Sequence, residues 1–157
     1  MGAEAMMAPA VFAIPQAILA PSVTAPGSAT IGAAKPGQTT SVQLGQLKVT
    51  NIGVRSWTAT VSASNFTTGG GTVGETISKS QLSYRSGPIV TKSGSGTWIP
   101  GQPTAADAQP LDVPRPAFSY NGVMTSTFVT WLPTLTMSVP ASAVAGTYTG
   151  TVTHSVA

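Results

Sequence analysis

His154, Glu4, Glu75, Asp107, Asp112, three Trp and the hydroxyls of 23 Thr and 17 Ser are nearly all that this 157-residue chain brings to chemistry. Nucleophilic catalysis needs a thiol or hydroxyl held against a base, and the chain has no Cys and one His. His154 is followed by Ser155, but neighbours on a strand leave opposite faces, so the two cannot meet as base and nucleophile on regular backbone. His154 falls in the same alternation as Tyr148 and Val152, which predicts a packed histidine rather than a catalytic or metal-binding one. Glycoside hydrolysis usually needs two carboxyl groups about 5–9 Å apart; the four acids here are scattered, so a polysaccharide hydrolase is the weakest reading. Asp107 and Asp112 flank a proline-containing loop and could offer oxygens to Ca²⁺, which takes about six to eight ligands. Two carboxylates in separate turns read instead as solvated loop acids, and neither a metal nor a cofactor is expected.

The remaining motifs are equally spare. Gly69-Gly70-Gly71 lacks the Gly-Lys-Ser/Thr that completes a phosphate-binding loop and reads as a turn. Asn65-Phe66-Thr67 fits the glycosylation sequon, which a bacterial source would leave silent. Trp57, Trp98 and Trp131 could offer flat faces for sugar stacking. Trp57 and Trp131 lie within strand patterns and are expected in the core; Trp98, between Gly and Ser residues and Pro100, is the better surface aromatic. Trp57 and Trp98 are the candidate surface contacts.

Only 7% of residues are charged, against about 25% in an ordinary soluble domain. The formal charge is +3 and the pI near 9.6, yet Lys35, Lys48, Arg55, Lys79, Arg85, Lys92 and Arg115 never adjoin, so no stripe could neutralise successive phosphates and nucleic acid is not an expected partner. The absence of Cys excludes a disulfide scaffold and leaves the compartment open. A surface solvated by Ser and Thr also has little repulsion to keep copies apart.

These side chains are placed by strands. Lys, Glu, Arg and Leu are scarce while β-branched and turn residues abound, which excludes helical bundles and doubly wound α/β folds. Val42, Leu44, Leu47 and Val49 alternate with a slip of one at Gly45, as a bulge requires. Trp57, Ala59 and Val61 alternate with Thr58, Thr60 and Ser62, a half-buried strand with a hydroxyl-bearing outer face. Shorter strands are predicted at 81–84, 89–92 and 96–99. Pro110, Pro114 and Pro116 mark an edge or connecting stretch. Asn121-Gly122 predicts a tight turn between Phe118/Tyr120 and 127–132. Leu135, Met137 and Val139 form a strand that Pro140 stops, and Tyr148, Gly150, Val152, His154 and Val156 share one face of a last strand. About eight to ten such strands make a sandwich or barrel.

Residues 1–26 differ. The apolar run from Met6 lacks a preceding Lys or Arg and is interrupted by Pro9 and Pro15, so it reads neither as a signal-peptide core nor as a membrane-spanning helix. It reads as extended chain docked on its own domain or on a neighbour, with Ala10, Val11, Phe12, Ile14, Ile18 and Leu19 as candidate self-association residues.

The stretch Val129-Thr-Trp-Leu-Pro-Thr-Leu-Thr-Met-Ser-Val-Pro140 with Ala143-Val-Ala-Gly-Thr-Tyr-Thr-Gly-Thr-Val-Thr-His-Ser-Val-Ala157 resembles the C-terminal half of WxL-like surface domains of secreted actinobacterial and other Gram-positive proteins. Gly45-Gln-Leu-Lys-Val-Thr-Asn51, Trp57-Thr-Ala-Thr-Val-Ser-Ala63, Phe66-Thr-Thr-Gly-Gly-Gly71 and Ile77-Ser-Lys-Ser-Gln-Leu-Ser-Tyr84 resemble its middle strands, so the likeness covers about 22–157. It implies a secreted, non-enzymatic β-domain which, in the WxL members, attaches non-covalently to the cell wall. Only Trp57 carries over as a motif residue: Ala59 stands where the first W-x-L ends, and His154-Ser155-Val156 stands in place of the terminal one.

The expectation is therefore an all-β, antiparallel, Ig-like or WxL-like sandwich over 27–157 preceded by an extended segment over 1–26. It is expected to be secreted or at the cell surface, without a transmembrane segment, and to contact wall polymer, surface proteins or other copies of itself. Its role would be structural and adhesive, with a filament or surface-layer subunit joined by N-terminal strand addition as the alternative.

Overall fold

The period-two alternation becomes strands nearly everywhere. The computed structural model describes residues 20–157, and in them lie β1 (Ser22–Thr24), β2 (Thr39–Gln43), β3 (Leu47–Ile52), β4 (Ser56–Ala63), β5 (Phe66–Thr67), β6 (Thr76–Ile77), β7 (Leu82–Arg85), β8 (Ile89–Ser93), β9 (Thr97–Pro100), β10 (Gln109–Pro110), β11 (Arg115–Asn121), β12 (Ser126–Trp131), β13 (Thr134–Ser138) and β14 (Val152–Val156). Helical structure among these residues is confined to short 3₁₀ segments at Val73–Glu75, Lys79–Gln81 and Ala105–Asp107. All strand pairs are antiparallel, so the chain is an all-β fold. No helix of the described residues is long and apolar enough to cross a membrane.

The sheets run β1-β3-β12-β8, β10-β7-β13-β2 and β14-β4-β11-β9, with β5-β6 a small hairpin. The first two are halves of one bent layer. β12 and β13 are a single run interrupted at Leu132-Pro133, and each flanking run is interrupted opposite that point. Between the pairs Gln43↔Thr134 and Leu47↔Trp131, the three residues 44–46 face the two residues 132–133. Between Arg85↔Thr134 and Ile89↔Trp131, residues 86–88 face the same two. Pro133 has no N–H to give the ladder, so both neighbours bulge there and the layer bends. The Leu44 N–H still donates to Pro133 O at 2.9 Å, which carries the ladder across the bend. Gly45 makes the bulge possible: its φ is +93°, and a Cβ there would lie 2.6 Å from Pro26 Cγ.

The bent layer packs on β14-β4-β11-β9. From the first come Leu47, Val49, Leu82, Tyr84, Val129, Trp131 and Leu135; from the second Trp57, Ala59, Val61, Phe118 and Tyr120, all buried. The Phe118 and Trp131 rings meet across the layers at 5.1 Å between centroids, and Trp57 stacks on Tyr120 at 6.3 Å. Buried Asn51 fixes the end of β3: its Nδ2 donates to Val54 O at 2.7 Å and to Thr127 Oγ1 at 3.2 Å. Buried Gln102 donates to Pro116 O at 2.9 Å beside the bulge of β11.

Several expectations need correction. Fourteen strands replace the eight to ten expected, because the bend cuts three long strands in two and several others have two or three residues. Asn121-Gly122 does not close a hairpin: β11 and β12, on either side of it, belong to different layers, and the link crosses between them. Pro110 lies on edge strand β10, but Pro116 sits inside β11, at the end that β9 does not reach, so its missing N–H interrupts no ladder on that side. β1 lies within the expected N-terminal segment, so the sheet begins before residue 27.

Candidate interaction surface

The alternation that buries Trp57, Ala59 and Val61 turns Ser56, Thr58, Thr60 and Ser62 outward on β4. Register then extends this face across the layer. Thr153 pairs with Ser62 and Ser155 with Thr60 from β14; Ser119 pairs with Thr58 and Asn121 with Ser56 from β11; Ile99 and Thr97 continue these last two rows on β9. Rows of hydroxyls thus repeat about 4.8 Å across the strands and about 6.8 Å along them. None of these outward residues is ionisable. At the end of the face, Ser56, Thr58, Ile99, Ser119, Asn121 and Ala157 line an open depression of about 350 Å³. The outer face of the bent layer is different in character, because Lys48 stands there with its Nζ 4.8 Å from the Phe128 ring centroid, and Arg85 shares a row with Thr134.

Glu4 lies outside the described residues, and the other three candidate acids are employed locally. Glu75 Oε2 accepts from the Thr72 N–H at 3.0 Å and from its hydroxyl at 2.9 Å, and these bonds to Thr72 hold its pKa below the usual value. Asp107 does the same for Thr104, again with a lowered pKa caused chiefly by the Thr104 hydroxyl and N–H. Asp112 pairs with Arg115 at 2.7 Å, whose hydrogen bond lowers its pKa. No group of three or more metal-ligating side chains gathers among the described residues.

His154 is packed. Its Nε2 lies 2.9 Å from the Tyr84 hydroxyl, whose oxygen in turn accepts from Trp131 Nε1–H at 3.1 Å. Burial pushes the histidine pKa down to about 4 and that of the Tyr84 phenol up.

Trp57 is corrected as a surface contact: it is 3% exposed, because its position on β4 faces the opposite layer. Trp98 is half-buried, with its ring 4.4 Å from Tyr120 and the Lys92 ammonium 5.9 Å from its centroid. It belongs to the rim of the core rather than to the hydroxyl face. Trp131 is fully buried, as its strand pattern requires. Ala10, Val11, Phe12, Ile14, Ile18 and Leu19 lie outside the described residues; of the segment expected to add to a neighbour, Ser22–Thr24 pairs with β3 of the same chain. Sequence reasoning missed Tyr84 as the partner of His154 and missed both caps. The caps had a signal, since Thr72-Val-Gly-Glu75 and Thr104-Ala-Ala-Asp107 both fit the capping-box pattern.

Fold and surface together define an antiparallel β-sandwich with one uncharged, hydroxyl-lined face. No protein-family model matches the chain, and no curated protein matches it.

Proposed function

We propose that this chain is a non-enzymatic, secreted structural and adhesive domain whose β14-β4-β11-β9 face lies against uncharged stretches of cell-wall polymer. The rows formed by Thr58, Thr60, Ser62, Ser119, Thr153 and Ser155 carry the reading. Hydroxyls spaced on a rigid sheet can exchange hydrogen bonds with sugar hydroxyls without the desolvation cost that charged groups would add. The resemblance of the chain to WxL-like surface domains supports the cell-surface setting. Each described carboxylate accepts hydrogen bonds from its own loop, which supports a structural use of these acids.

A self-assembling subunit joined by strand addition is the competing reading. Lys92 stands against it at one free edge: it places an exposed charge on edge strand β8, a device that discourages edge pairing. Pro100 blunts β9 in the same way.

Co-sedimentation of the full chain with purified Gram-positive walls and with an insoluble neutral glucan tests the proposal. Binding that persists in 1 M salt is expected, because no ion pair carries it. Binding lost in salt, or none to either polymer, contradicts it.

A further inference from the structure

We propose that His154 is a proton-sensitive latch that holds edge strand β14 on the sandwich at neutral pH and releases it in acid. β14 has ladder bonds on one side alone, from Val152↔Ala63 to Val156↔Ala59. Its other hold is the half-buried row Val152, His154 and Val156, packed against the core. Within that row His154 makes the one side-chain hydrogen bond, and the bond reaches across the layers to Tyr84 on β7.

Donor and acceptor roles in this chain follow from Trp131. An indole N–H only donates, so the Tyr84 oxygen accepts from it and the Tyr84 O–H is left to donate to His154 Nε2. That selects the neutral imidazole with its proton on Nδ1. When Nε2 takes up a proton it becomes a donor facing a donor. The phenol oxygen can accept the new N–H, but the Tyr84 hydrogen then loses its acceptor, and an imidazolium charge lies between two apolar layers.

Among the described residues no charge offsets this: Arg115, which stands in the same cross-strand row beyond Val61, is already paired with Asp112. Residues Ala59, Thr60, Val61, Ser62 and Ala63 of β4 and Ser22, Val23 and Thr24 of β1, the strands beside β14, carry no ionisable group. On β7, Tyr84 is the titratable group that faces His154, and Arg85 points to the opposite face in the row of Thr134. Desolvation accordingly sets the direction of the histidine shift. A histidine that binds its proton more tightly when exposed links acid to opening: the latch is closed above the ordinary histidine range and weakens as pH falls below it. Opening removes Thr153 and Ser155 from the hydroxyl face and bares the ladder edge of β4.

Residue-resolved amide hydrogen exchange of the full chain at pH 7.5 and 4.5, corrected for intrinsic rates, tests the latch. Protection of the β14 amides is expected to fall on the order of fiftyfold relative to β12, and His154→Gln, which keeps an acceptor but cannot titrate, is expected to abolish the difference between the two pH values. Equal loss in β14 and β12, or the same acid response in His154→Gln, overturns it. Should that variant not fold, the His154 ring proton shifts decide: titration well below the free-histidine value supports the latch, and titration at about 6.5 overturns it.

Discussion

Asp107 and Thr104 are joined twice. The carboxylate Oδ2 accepts from the Thr104 N–H at 3.0 Å and from its hydroxyl at 2.6 Å, so one of the two acids that could have offered oxygens to Ca²⁺ closes a single 3₁₀ turn instead. Both capping bonds are stronger to the ionised form. The folded pKa is lowered, so the contribution is complete above the ordinary aspartate range and is lost as pH falls through the lower, folded value. Asp107→Asn should lower the melting temperature at pH 7 and bring it closer to wild type at pH 3, read by calorimetry at both pH values.

Tyr84 ties three elements through one oxygen. Tyr84→Phe leaves the buried Trp131 N–H and His154 Nε2 without their partner, and the loss should be about 1–3 kcal/mol. Urea unfolding at pH 7.5 measures it; a change within error would mean that the chain of bonds adds nothing to stability.

Asn51 satisfies a turn from inside the core, through Val54 O and Thr127 Oγ1. Asn51→Ala should cost about 1–3 kcal/mol by the same measurement, whereas Lys48→Ala, at an exposed position on the same strand where only the contact with the Phe128 ring is lost, should cost no more than about 1 kcal/mol.

Gly45→Ala meets two obstacles, the positive φ and the Pro26 ring. A loss of about 1–3 kcal/mol is expected. Gly27→Ala, where a Cβ would meet nothing within 4 Å, should be neutral and serves as the control.

Much of the architecture was legible because one period governs it. The slip at Gly45 and the alternations through Trp57 and Leu135 each depend on neighbours in sequence, and each is realised in β2–β3, β4 and β13. What was not legible depends on partners distant along the chain. The residues around Asn121-Gly122 have the composition of a hairpin, but the buried faces of β11 and β12 lie on opposite layers, and no local pattern records which layer a strand joins. Trp57 illustrates the same limit for the surface. A tryptophan that could stack on a sugar and one that fills a core look alike until its face is known, and the face of β4 left to solvent carries hydroxyls instead. His154 was legible as packed, while its hydrogen bond to Tyr84, 70 residues away, was not.

In the proposed function the β14-β4-β11-β9 face, and not the bent layer, meets the wall. The most direct measurement compares wall co-sedimentation of Thr58→Lys/Ser155→Lys, two exposed positions on that face, with Ser41→Lys/Ser93→Lys, two exposed positions on the other layer. At least a tenfold loss of binding is expected for the first pair and none for the second, with both variants melting near wild type. Equal binding by the two, or loss in the second alone, would contradict it.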